Sequence, residues 1–164
     1  SHTLVSTKTV HRPKRAQRQK IAALIDNQQQ NQSLRIPAVQ KKAQAILNAL
    51  GCPDGELSVL LVDDPRIAEL NETYLNHQGP TNVISFPMRE GADGDLHPEL
   101  LGDVVISMDT CAREAEMGAI STEERFYELL VHGILHLFGY DHVHSEEEAQ
   151  AMEAKSRELL ALMG

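Results

Sequence analysis

The chain has 164 residues and 18.2 kDa, the length of one domain. Hydrophobic residues make up 41% of it, enough for a core and too many for a disordered chain. No apolar run approaches the roughly 18 residues of a membrane span, and the first 30 residues lack the apolar centre of a secretory signal. Two cysteines, Cys52 and Cys111, cannot make a disulfide framework. A reducing, cytoplasmic setting with no membrane partner is the expectation.

Charge is spread unevenly. Residues 1–20 hold six cations and no acid, which leaves nine cations against 24 acids in the remainder, a balance near −15. An acidic body is a poor general footprint for nucleic acid. The basic arm, residues 1–19, could meet RNA, a membrane surface or an acidic partner; its plainest reading is a solvated, frayed terminus. The chain opens Ser1-His2 without Met, so its first residues are expected to be foreign to the natural protein. Residues 20–164 are expected to form a single domain.

Residues 20–28 predict a first strand, and the Gln/Asn/Ser-rich stretch 28–33 a loop. Pro37 opens a helix that Gly51 closes, with Val39, Ala43, Ile46, Leu47 and Leu50 on one face. Leu57–Val62 reads as a buried strand. Asp64 and Pro65 are placed to start the next helix as N-cap and first residue, and Ile67, Leu70, Asn71 and Tyr74 ride on it. Val83–Phe86 is a third strand cut by Pro87, followed by a glycine- and acid-rich loop to about Glu99. Val104–Ser107 is a fourth strand entered through Gly102-Asp103, and a helix runs from Met108 to Gly118.

Ser121 and Glu124 have the spacing of a capping box. They launch the most apolar helix of the chain, with Phe126, Leu129, Leu130, Val131, Ile134, Leu135, Leu137 and Phe138 on every side. Such a helix is central and buried. Gly139 is placed to end it in the left-handed conformation. Ser145 and Glu148 cap a final helix carrying Ala149, Met152, Leu159, Leu160 and Met163. The predicted class is α+β, layered: a small mixed four-stranded sheet packed with four to five helices, in one domain.

Three histidines fall within eleven residues: His132, His136 and His142. His132 and His136 are four apart, so both imidazoles leave one helix face. That spacing lets two ring nitrogens reach one ion at the ~2.0–2.1 Å of a zinc–imidazole bond. Gly139 turns the chain and brings His142 round as a third ligand. Three protein ligands leave a fourth position open, the pattern of a catalytic zinc site, where the pKa of water falls toward ~7. Single histidines on helices are usually packed or solvated. Three at this spacing in an apolar helix would carry a desolvation cost that a metal offsets. The spacing matches the zinc-peptidase signature H-E-x-x-H-x-x-G-x-x-H, hence a zincin-like domain with a central metal-binding helix. Gly133, however, stands where the peptidase has its general-base Glu. Phosphodiester cleavage asks less of a base beside the ion.

At this point the residues resemble a known family. His132–His142 is similar to the HGxLHLxGYDH signature of the YbeY family, endoribonucleases of bacterial ribosomal RNA maturation. Glu56–Asp64 resembles its second strand, Pro80–Pro87 its PT(D/N)VLSFP segment and Leu101–Ser107 its LGD strand. The likeness spans about residues 20–164. It implies one zinc per chain on three histidines and cleavage of single-stranded RNA. It also implies processing of the small-subunit rRNA 3′ end, ribosome quality control, and ribosomal RNA, the small subunit or its assembly proteins as partners.

Other candidates follow from position. Asp141 could act as acid/base or orient a ligand histidine; equally it could cap the turn. Asp103 could support the ligands from behind or simply begin a strand. Thr81, Asn82 and Ser85 could hydrogen-bond RNA beside the metal. One departure stands out: after Asn71-x-x-Tyr74 the family usually has an arginine, and here the residue is Leu75. A guanidinium would grip a phosphate bidentately; leucine cannot. RNA would then be held through His77, Arg89 or the basic arm. Two further readings stay open: a non-catalytic ribosome-assembly factor with a structural zinc, and a metallopeptidase, which Gly133 argues against.

Overall fold

The computed structural model describes residues 23–88, 100–140 and 145–163. Among them are four strands and five helices in one domain: β1 (Ala23–Asn27), α1 (Ile36–Ala49), β2 (Glu56–Val62), α2 (Asp64–Leu75), β3 (Val83–Pro87), β4 (Leu100–Ser107), α3 (Met108–Met117), α4 (Thr122–Leu137) and α5 (Glu146–Met163). The expected α+β layering and mixed four-stranded sheet are what is found. The basic arm lies outside the described residues.

The strand order is β1-β2-β4-β3. The pairs β1–β2 and β2–β4 are parallel, and β3 runs antiparallel to β4 at the edge. Helices cover both faces, which explains why β2 and β4 read as unbroken apolar runs. Six of seven residues in β2 and seven of eight in β4 are buried. One face of the sheet carries Leu57, Val59, Leu61, Val104 and Ile106, which pack with residues of α1, α3, α4 and α5. The other carries Leu60, Val62, Ile84, Phe86 and Val105, which pack on Ile67 and Leu70 of α2.

Two sequence expectations are corrected. Pro87 does not cut β3; it is the strand's last residue, tolerated because β3 is an edge strand. The fourth strand begins at Leu100 rather than Val104, because Leu100 pairs with Glu56 of β2, and Gly102 and Asp103 find partners on both sides, in β2 and β3. The register slips between Glu56 and Leu57, where Leu101 is the extra residue on β4. That bulge lets Leu101 and Val104 join the same cluster.

The start of α2 is also corrected. Its N-cap is Asp63, whose carboxylate accepts the Arg66 N–H at 3.0 Å. Asp64 instead reaches across to α3. It accepts from the Ser107 hydroxyl at 2.6 Å and the Thr110 hydroxyl at 2.7 Å, and it pairs with Arg113 at 2.8 Å. Asp109 returns the tie by accepting the Asp64 backbone N–H at 2.9 Å. Burial alone would raise the Asp64 pKa, but the hydrogen bonds from Ser107, Thr110 and Arg113 outweigh it and hold the carboxyl below its ordinary value.

A depressed folded pKa stabilises the fold above the unfolded value and loses that contribution as pH falls through the folded one. Asp64→Asn should therefore cost about 1–2 kcal/mol at neutral pH. The gap to wild type should begin to close near the ordinary value of 3.8 and vanish below it. Urea unfolding of both proteins across that range checks this; a gap independent of pH would contradict it.

Candidate metal centre

Helix α4 is delimited by local chemistry at both ends. At its start, Glu124 N–H donates to Ser121 Oγ at 3.0 Å and Ser121 N–H donates to Glu124 Oε1 at 3.3 Å, a reciprocal capping box. At its end, Tyr140 N–H donates to the Leu135 carbonyl and Gly139 N–H to the His136 carbonyl, both at 3.0 Å. That is the Schellman pairing, and it needs Gly139 at φ +95°.

His132 and His136 lie in the last turns of this helix and are half-buried. Their Nε2 atoms converge to 3.0 Å, with ring centroids 4.5 Å apart and planes at 73°. Two ligands of a tetrahedral ion at zinc–imidazole distance would stand about 3.3 Å apart. The pair thus fits one ion with a shift of a few tenths of an ångström. Among the described residues no group of three His, Cys, Asp or Glu side chains gathers for a metal. His142, the third expected ligand, lies outside the described residues, as do Asp141, Arg89, His97 and His144.

Gly133, between the two histidines, faces the sheet. A Cβ there would stand 2.6 Å from Val104 Cγ1 and 3.2 Å from Val83 Cγ2. Its carbonyl accepts the Ser85 hydroxyl at 2.9 Å, across from β3. A side chain at position 133 would have to displace Val104 or Val83, so a general base beside the flanking histidines would require the helix to shift on the sheet.

The remaining candidates separate. Asn82 Nδ2 lies 3.3 and 3.4 Å from the two oxygens of Glu114, and Ser85 is engaged with Gly133; both donors have partners within the protein. Thr81 is half-buried at the head of β3. Asp103 does not start a strand. It lies inside β4, 1% exposed, and alternates with Val104, so it shares the α2 face with Val105, away from the histidine helix. The structure does not bring it to the histidine pair. Leu75 ends α2 and is 43% exposed. The next residue, Asn76, is left-handed, and the buried Asn71 holds the following loop through Nδ2 to the Gly79 carbonyl at 2.9 Å.

A feature the sequence reading passed over is Arg125. It stands seven residues before His132, so it shares the histidine stripe about 10 Å along the axis. It pairs with Glu114 at 2.8 Å and Glu128 at 2.7 Å. Burial opposes its charge, but the hydrogen bonds and charges of both glutamates outweigh that and raise its pKa. The periodicity alone could have singled it out. Cys111 is fully buried, and burial pushes its thiol up to about 12, which disfavours the thiolate. A 270 Å³ cleft lined by Lys42, Leu160, Met163 and the α4 residues Glu123, Glu124, Tyr127 and Glu128 flanks the first half of α4 and contains no histidine.

Residues 24–164 match the family model described as endoribonuclease YbeY. Curated proteins named endoribonuclease YbeY are similar. That of Syntrophotalea carbinolica is 53% identical over 84% of this chain and 92% of its own length. That of Geobacter metallireducens is 52% identical over 85% and 93%. That of Aquifex aeolicus is 49% identical over 74% and 76%. A Thermotoga maritima protein of known solution structure shares the fold, with TM-score 0.62 and 22% identity over 86% of this chain and 88% of that one.

The contact at Gly133 generates a test. Gly133→Ala should lower stability by about 1–2 kcal/mol, overpacking against Val104 outweighing the better helix propensity. Gly133→Glu, which completes the peptidase signature, should lose the fold and gain no peptidase activity. Thermal unfolding and a casein assay read both; a folded, proteolytic Gly133→Glu protein would contradict the packing.

Proposed function

Since the chain belongs to the YbeY endoribonuclease family, we propose that it is a zinc-dependent endoribonuclease that cleaves single-stranded RNA in small-subunit rRNA maturation and ribosome quality control. The observation that carries the metal part is the convergence of the His132 and His136 Nε2 atoms at 3.0 Å. His132, His136 and His142 would hold one zinc per chain. When bound, it supplies a Lewis acid beside the scissile phosphate and activates water.

The chain's own residues do the rest. His132 and His136 serve as neutral donors on a helix whose ends are fixed by Ser121, Glu124 and Gly139, an α4 of zincin-like type. Asp141 takes or returns a proton or orients His142. Thr81 at the head of β3, His77 in the loop before it and Arg89 beyond it offer the RNA surface. Gly133 leaves no carboxylate between the histidines, which favours a phosphodiester over a peptide substrate. No helix among the described residues is long and apolar enough to cross a membrane. Cytoplasmic ribosomal RNA and small-subunit assembly proteins are the partners consistent with this reading.

Leu75 favours a second reading, an assembly factor whose zinc is structural. An apolar, 43% exposed side chain stands where the family usually has a phosphate-binding arginine. Chelation separates the two readings: a structural zinc leaves an unfolded chain, whereas a catalytic one leaves a folded and inactive chain.

Wild type should carry close to one zinc and cut an rRNA fragment. His136→Ala, purified in parallel and folded by circular dichroism, should lose the metal and at least about 100-fold in rate. A full zinc equivalent in the variant, or equal cleavage, would overturn the site. Leu75→Arg should leave stability within about 0.5 kcal/mol and strengthen RNA binding; titration with a labelled single strand measures it.

A further inference from the structure

The bond from Ser85 to Gly133 has no role in ordinary helix or sheet pairing. Ser85 is half-buried on the edge strand β3, and its hydroxyl donates to a carbonyl 48 residues away, within the turn that separates His132 from His136. The same turn is in contact with Val104 and Val83 through Gly133. A helix lying on a sheet through apolar contacts alone can slide or roll by fractions of an ångström. One directional bond, placed between two side chains that must converge on a point, removes that freedom.

We propose that Ser85 is a positioning residue for the histidine pair. Its hydroxyl fixes the height and roll of the 132–136 turn against β3, so that the two Nε2 atoms meet. Ser85 therefore acts through the Gly133 carbonyl and not through contact with RNA. The inference deepens the metal reading and rests on it for its metal-binding consequence; the geometric consequence stands without a metal.

The test uses the full chain and two substitutions. Ser85→Ala removes the hydroxyl, and Ser85→Thr keeps it on a residue that suits a strand. Two readouts are taken: zinc affinity by competition with a chromophoric chelator, and the imidazole ring resonances of His132 and His136 in metal-free protein. Ser85→Ala should weaken zinc binding by about tenfold and shift both rings, while the fold persists by circular dichroism. Ser85→Thr should lie within about twofold of wild type. Unchanged ring resonances in Ser85→Ala would overturn the proposal, whether or not zinc binds. Equal zinc affinity of a zinc-binding wild type and Ser85→Ala would also overturn it. Wild type that takes up no zinc would refute the metal reading instead, and the ring resonances would still decide the role of Ser85.

Discussion

Helix α4 lies so close to the sheet that a side chain at Gly133 would have to displace valines of β3 and β4, and the candidate site depends on that closeness. Val104 of β4 and Val83 of β3 fill the space where a Cβ would be. The consequence is geometric: with position 133 turned inward, the residues one before and three after it are carried to the rim of the helix–sheet contact. There the imidazoles of His132 and His136 are half-buried and convergent. Apolar burial drives the contact. A directional polar bond from Ser85 completes it without leaving an unsatisfied group inside.

Similar economy marks the ends of the strands. At the carboxyl ends of β2 and β4, Asp64 collects two hydroxyls and a guanidinium, while Asp109 returns a bond to the Asp64 amide and accepts from Asn31. At the head of β3, Asn82 touches Glu114, and Arg125 ties Glu114 to α4. These polar contacts bridge segments separated by 11 to 78 residues, so they fix how elements dock and not which elements form. Helix α4 is joined to β3 twice, once through Arg125, Glu114 and Asn82 and once through Ser85. The edge strand next to the proposed RNA surface and the helix that carries the histidines are thus tied to one another.

What was legible in the sequence was local. Ser121 and Glu124 announce a helix start by their own spacing, Gly139 a helix end, and the Val/Leu run of β2 a buried strand. The i, i+4 spacing of His132 and His136 placed both rings on one face without any tertiary knowledge. What stayed hidden was decided at a distance. Asp63 and Asp64 are chemically alike, and only Ser107, Thr110 and Asp109 determine which of them caps α2. Asp103 sits beside a glycine in a stretch of poor strand formers. Its burial follows from pairing with β2 and β3 on either side, and its face follows from alternation with Val104. Ser85 has the composition of a surface strand residue, and its partner is a backbone atom that no side-chain pattern reveals.

Charge makes the final connection. RNA is a polyanion, and the chain carries a net −9, so a cleavage site must create its own local attraction. The histidine stripe does not supply it through arginine, since Arg125 is held by two carboxylates and the trio is net negative. The end of α2 does not supply it either, where Leu75 stands exposed. Leu75 is 43% exposed, so packing does not demand leucine there. On the proposed reading, a divalent ion at the histidines supplies the positive charge that this surface lacks, both drawing the phosphodiester in and acting on it. Affinity and catalysis would then rest on the same three imidazoles. A site built this way tolerates leucine at the end of α2, provided that the geometry set by Gly133 and Ser85 holds.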